Sequence, residues 1–303
     1  MLTEALRELR LSERGDGIWI DGTFGVGGHS AAMLQQMDPG ALLLAIDKDP
    51  AAITIARERF ANEPRFHFRQ ASFATLEQQL ASTGTQGEVR GVLLDLGVSS
   101  AQLDQPARGF SFLRDGPLDM RMNPTFGASA AEWLVGAGED EIVRVLRDYG
   151  EERYHRRIAK AIVSARSVSA IETTGQLAEI VAAAMPRWEK HKHPATRTFQ
   201  AIRIFVNREL DDVTAGLQQA VNVLAPTGRL VVISFHSLED RLVKRFMRAQ
   251  ARPAKLPRRV PVTARADAGV LRLIGKPLKP SAEEVRHNPR ARSATMRVAE
   301  RKP

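Results

Sequence analysis

The sequence predicts an α/β protein, a doubly wound parallel sheet interrupted by an all-helical insert. Three observations predict it. Short apolar runs alternate with helical periods over the first part of the chain. Three of those runs end in an acid, at Asp21, Asp47 and Asp95. From Ala128 to about Thr196 only helical spacing is found.

Taken in order, Leu2, Ala5, Leu6 and Leu9 among charged neighbours form an amphipathic helix and not a signal peptide. Ile18-Trp-Ile20 is a first strand running into Asp21, and Gly22, Gly25, Gly27 and Gly28 follow within seven residues. A helix is expected next, with Ser30 as N-cap and Met33, Leu34 and Met37 on its apolar face. Glycines at such a turn let the backbone approach a ligand without a Cβ in the way. Leu42–Ile46 reads as a buried parallel strand ending in Asp47, 19 residues after Gly28. That spacing suits a carboxylate holding ribose hydroxyls. Pro50 opens a helix, Phe66 and Phe68 alternate in a third strand, and Phe73–Leu80 is helical. Gly91–Asp95 is the fourth strand. Ligands of such sheets sit at the carboxyl ends of the strands, where all three acids fall.

The dinucleotide pattern G-x-G-x-x-G fails at Ser30, and Asp21 enters the turn directly. A cofactor without a pyrophosphate and with a cationic centre fits better, which favours S-adenosylmethionine over NAD.

Residues 100–126 carry five prolines and glycines and no sustained period. After the helical insert, one long helix is expected from about Thr198 to Leu224, then a turn at Pro226-Thr-Gly228 and a strand Arg229–Ser234. A helix through Leu238, Leu242, Val243 and Phe246 follows, with further strands near Leu271–Ile274 and Thr295–Ala299.

Composition narrows the chemistry. With no cysteine, disulfides, thiolate zinc sites and iron–sulfur clusters are excluded. Carbon-5 methylation of a pyrimidine, which needs a thiolate, is excluded with them; transfer to nitrogen or oxygen remains. No metal site is expected: His191-Lys-His193, in a basic stretch without an acid cluster, reads as an RNA-facing or solvated loop. The net charge is +9, and residues 241–303 hold 18 Lys and Arg against four acids. That asymmetry is the footprint of a polyanion binder, with Arg197, Arg203 and the 252–259 cluster as prospective phosphate contacts. No apolar run approaches the ~20 residues of a membrane span, and a cytoplasmic location is expected.

Several stretches together resemble one family. They are Asp21-Gly-Thr-Phe-Gly-Val-Gly-Gly-His-Ser30, Leu93-Leu-Asp-Leu-Gly-Val-Ser-Ser100, Arg108-Gly-Phe-Ser-Phe112, Gly116-Pro-Leu-Asp-Met-Arg-Met122 and Gly150-Glu-Glu-Arg153. They continue with His193-Pro-Ala-Thr-Arg-Thr-Phe-Gln200, Ile233-Ser-Phe-His-Ser-Leu-Glu-Asp-Arg241 and Asn288-Pro-Arg-Ala-Arg-Ser293. In order and nearly end to end, the chain is similar to the bacterial 16S ribosomal RNA cytosine-N4 methyltransferases, the small-subunit methyltransferase H (MraW) family. The family's His-containing lead-in has no counterpart ahead of Met1–Leu9, and Pro-Thr-Gly stands where Pro-Gly-Gly is common.

The resemblance implies a class I (Rossmann-like) methyltransferase sheet. Its core would comprise residues 1–103 and 198–303, the latter with the basic C-terminal segment, and residues 104–197 would form an inserted helical substrate-recognition domain. It implies S-adenosylmethionine as donor and cytidine 1402 of 16S ribosomal RNA as target, with the small ribosomal subunit as partner, no membrane, and a homodimer left open. Cofactor contacts would fall on Gly27, Gly28, His29, Asp47, Phe73, Asp95 and Gln102, with Phe73 against the adenine and Asp47 on the ribose.

The cytosine amine is a weak nucleophile, so the enzyme must align it with the methyl group and accept an N4 proton. The Asp/Asn-Pro-Pro-aromatic loop common in amino methyltransferases is replaced by Asp95-Leu-Gly-Val-Ser-Ser100. Acceptor candidates are Asp95, the Ser234/His236 pair and, less directly, Asp119. Two other readings compete: a non-catalytic RNA-binding ribosome-assembly factor on the same scaffold, and an NAD-dependent oxidoreductase.

Overall fold

The computed structural model describes residues 1–84, 87–187, 193–252 and 269–303. They form two compact units, one of Met1–Gly97 with Leu210–Pro303 and one of Val98–Glu209.

The first unit is built on a seven-stranded sheet: β1 (Ile18–Asp21), β2 (Leu42–Asp47), β3 (Phe66–Gln70), β4 (Val89–Asp95), β5 (Leu224–Ser234), β6 (Leu271–Leu278) and β7 (Thr295–Arg301). Their order is β3-β2-β1-β4-β5-β7-β6. The first five are parallel, and β7 runs antiparallel to both neighbours. This is the Rossmann-like order that the resemblance implies, with one antiparallel strand, β7, added to the parallel strands read from the sequence. Alternate residues along each strand enter opposite faces. Trp19, Leu43, Ala45, Leu93 and Val231 pack on one side, and Ile18, Ile20, Leu44, Ile46, Val92, Leu94 and Val232 on the other. Burial on both faces explains the unbroken apolar runs.

Chain order reverses between β1 and β4, which both pair with neighbours on either side of that gap. Such a switch point opens a crevice at the carboxyl ends of the strands. The expected turn at Pro226-Thr-Gly228 lies inside β5 as an irregularity: Val89 pairs with Leu224, but Gly91 pairs with Arg229. Thr227 takes a positive φ of 65° there.

One rung across the β5–β7–β6 edge is ionic. Arg229 Nε donates to Glu300 Oε2 at 2.9 Å, Arg272 donates to Oε1, and Glu300 is 3% exposed. Glu300→Ala leaves buried Arg229 without its counter-ion and is expected to cost about 3–5 kcal/mol. Chemical denaturation measures this; a loss within error of zero would show that the rung holds nothing.

The second unit is helical, with helices Ala130–Gly136, Glu139–Gly150, His155–Arg166, Thr174–Ala184 and Thr196–Asn207. Leu134, Ile142, Leu146, Ile158, Ile162, Leu177, Phe199 and Ile202 form its core. Ser129 with Glu132, and Thr173 with Gln176, close reciprocal capping boxes. The single helix expected over 198–224 is two. Arg208 adopts φ 52°, ending the helix Thr196–Asn207 before a new one at Glu209–Val223. Arg203 pairs with Glu209 across the break, at 2.8 and 2.9 Å.

Candidate functional site

The loop after β1 is latched at two points. Asp21 is fully buried, accepting from Ser30 Oγ at 2.7 Å and Thr23 N at 3.2 Å. Asp47 accepts from Gly25 N at 2.7 Å and Asp49 N at 2.9 Å. Ser30 therefore clamps Asp21, and the helix begins earlier, at Gly28, with Gly27 as its N-cap at φ 78°. Burial pushes both carboxyls up, Asp47 to about 6. At Asp21 the neighbouring His29 and the Ser30 and Thr23 donors oppose that rise.

Beside this loop lies a cavity of about 560 Å³, within the range of small-molecule sites. Gly28 and His29 wall it from the loop, Asp95 from the β4 tip, and Ile233 and Phe235 from the end of β5. The first turn of the helix Leu2–Leu9 and residues of 281–294 complete it. A Cβ added at Gly28 would meet nothing within 4 Å. The strand-tip acids do not share the cavity equally: Asp95 lines it, whereas Asp21 is turned inward by Ser30 and Asp47 serves the loop backbone.

Asp95 Oδ2 lies 3.7 Å from His29 Nδ1. The other atom of each group, Asp95 Oδ1 and His29 Nε2, is buried without a hydrogen-bond partner among the described residues. Two such atoms at one wall suit a ligand that brings both a donor and charge. Burial, reinforced by Asp21 and opposed by His29, pushes the Asp95 carboxyl up to about 6.

The remaining candidates are placed as follows. Phe73 follows Ser72, whose Oγ accepts from Ala74 N at 3.1 Å and donates to Asp212 at 3.0 Å. The Phe73 ring abuts Gly216, where an added Cβ would come within 2.6 Å of Cε2. Ser234 is buried and donates to the Thr295 carbonyl at 3.2 Å. His236 caps the helix Ser237–Ala251, with Nε2 3.0 Å from Glu239 Oε1. Strand alternation sends Ile233 and Phe235 to the cavity, and neither Ser234 nor His236 lines it.

In the second unit, Gln102 closes a capping box with Ser99. Asp119 is bound bidentately by Arg121 at 2.9 and 2.6 Å. Burial raises its carboxyl, but the Arg121 side-chain and backbone donors outweigh that and hold it below the usual range.

Of the prospective phosphate contacts, Arg203 is committed to Glu209, and Arg197 donates to the Glu151 carbonyl at 3.4 Å. His193 stacks on Phe112 with ring centres 4.5 Å apart. His191, Lys192 and residues 253–259 lie outside the described residues. Nothing in the sequence alone marks 281–294 as a cavity wall, although the motif Asn288-Pro-Arg-Ala-Arg-Ser293 lies within it.

A sequence model described as the MraW methylase family matches residues 1–302. The chain belongs to the MraW methylase family. It is 55% identical over 302 residues to ribosomal RNA small subunit methyltransferase H of Nitrosococcus oceani, across 99% of this chain and 95% of that one. Its identity to the protein of that name from Thioalkalivibrio sulfidiphilus is also 55%, across 99% and 96%. Among solved structures, an rRNA methylase from Streptococcus thermophilus aligns with a TM-score of 0.43 at 8% identity, across 99% of this chain and 95% of that one. Among the described residues of this MraW family member, no helix is long and apolar enough to cross a membrane.

Proposed function

We propose that this chain methylates the exocyclic N4 of a cytidine, cytidine 1402, in the 16S RNA of the small ribosomal subunit, using S-adenosylmethionine in the cytoplasm. The observation that carries the reading is the pair of unpartnered atoms, Asp95 Oδ1 and His29 Nε2, on one wall of a cavity at the sheet's switch point. The name shared by the two relatives at 55% identity supports the RNA substrate.

When bound, the cofactor supplies an electrophilic methyl group on a cationic sulfur. The chain's own residues do the rest. Gly28 leaves the wall open, and Gly27 makes the turn that brings it there. Asp47 keeps a lone pair on each oxygen beyond those used by Gly25 and Asp49, enough for ribose hydroxyls. Phe73 would supply a flat apolar side for the adenine.

Asp95, ionised at neutral pH, sets a negative charge by the sulfonium and offers Oδ1 to an N–H donor or to the proton released from N4. His29 faces the other oxygen of that carboxylate at 3.7 Å, beyond hydrogen-bond range. Ser234 and Asp119 are engaged within the fold, and His236 does not line the cavity, which favours Asp95 as the acceptor.

The test is nucleoside mapping by mass spectrometry. Small-subunit RNA from cells lacking the gene is incubated with purified protein and labelled S-adenosylmethionine. One labelled N4-methylcytidine is expected. RNA binding without any label would replace this reading with that of a non-catalytic assembly factor.

A further inference from the structure

We infer that the outer face of the helix His155–Arg166 is a track for the sugar–phosphate backbone of the substrate RNA. This rests on the RNA-methylating reading above and adds a place where RNA is held.

The helix buries Ile158, Ala159 and Ile162. At 100° per residue, the exposed Arg156, Arg157 and Lys160 fall on the opposite side, within an arc of about 100°. No acid occurs between Arg153 and Ile171. Arg153 sits over the Tyr154 ring, with its guanidinium carbon 5.7 Å from the centroid. Arg156, Arg157 and Lys160 have no hydrogen-bond or ion-pair partner among the described residues.

Some other arginines are engaged within the fold. Arg203, Arg121 and Arg229 are each held by a carboxylate. Arg166, at the end of the same helix, donates to the Leu134 carbonyl. A stripe left without counter-ions on an acid-free segment is matched by a polyanion. From Arg156 to Lys160 the helix rises about 6 Å, about two phosphate-to-phosphate steps along one nucleic-acid strand. Arginine forks suit phosphate oxygens, and such contacts hold register without reading bases.

The experiment compares wild type with the triple variant Arg156→Ala/Arg157→Ala/Lys160→Ala, measuring affinity for small-subunit RNA as salt is raised. Each lost phosphate contact lowers the slope of log affinity against log salt by about 0.7 on single strands, so the triple variant should lose about 2. Between about 50 and 200 mM salt, the wild-type advantage should then shrink about 16-fold. Melting temperature and S-adenosylmethionine affinity should not change. Arg156→Lys/Arg157→Lys, which keeps the charge, should keep the slope.

An unchanged slope in a folded triple variant overturns the proposal. So does equal loss in the charge-keeping variant, or a stripe-dependent attachment to phosphatidylserine vesicles with none to RNA. Wild-type protein that binds RNA through the stripe yet transfers no methyl group would sustain the track and remove the catalytic reading instead.

Discussion

Asp95→Asn is expected to abolish methyl transfer and to raise the melting temperature above about pH 6. The two effects have one cause. Burial lifts the Asp95 carboxyl to about 6, against ~3.9 in an unfolded chain. A raised carboxyl means that the fold favours the neutral form. The cost of ionising it is therefore absent below about pH 4, grows as pH rises between the two values, and is complete above about 6. Asparagine removes that cost while keeping the shape, a gain of up to about 3 kcal/mol at about pH 8 and none at about pH 4. It also removes the negative charge and the proton acceptor beside His29. Scanning calorimetry at the two pH values and a methyl-transfer assay measure both effects. A variant equally destabilised at each pH would place Asp95 among purely structural acids.

Gly27 and Gly28 are adjacent, yet alanine at each should fail in opposite ways. At Gly27, φ is 78°, and a Cβ would lie 2.8 Å from the Phe24 ring and 3.0 Å from Phe60. Phe24 belongs to an aromatic cluster in which Phe60 stacks on Phe66 at 4.2 Å, so it has little room to yield. The left-handed backbone and the crowding together should cost about 2–4 kcal/mol. At Gly28 the backbone is helical and the added methyl meets open space. Alanine there should hold or slightly raise stability, while narrowing the cavity and weakening S-adenosylmethionine about tenfold. Denaturation and binding measured on both variants separate the cases; a stable, tightly binding Gly27→Ala would contradict the assigned geometry.

The elements that carry these predictions differ in how readily they can be read from residues alone. Leu42–Ile46 and Gly91–Asp95 are legible because strands covered on both faces need unbroken apolar runs and their tips need not be apolar. Where a tip acid points is another matter. Asp21 looks equivalent to Asp95 until the chain returns at Ser30 and takes its carboxylate inward. Position 30 fails as a dinucleotide glycine for a reason visible only in three dimensions: its hydroxyl is that clamp. Likewise Arg203 resembles a free cation until a left-handed Arg208 folds Glu209 back on it. The cavity wall at 281–294 is separated from Asp95 by almost two hundred residues, and no local periodicity encodes so distant an approach. Helical spacing makes Ile158 and Ile162 legible as an inner face, but it points to Ala161 beside them, where the structure buries Ala159 instead and so fixes the outer face.

Calorimetric titration of S-adenosylmethionine into wild type and Asp95→Asn, at about pH 5 and about pH 8, addresses the central claim directly: a half-buried carboxylate beside His29 receives the sulfonium donor. Wild type should bind more tightly at the higher pH, where Asp95 is ionised, and the variant should bind weakly with little change between the two. Equal affinities for both proteins at both pH values would contradict the account.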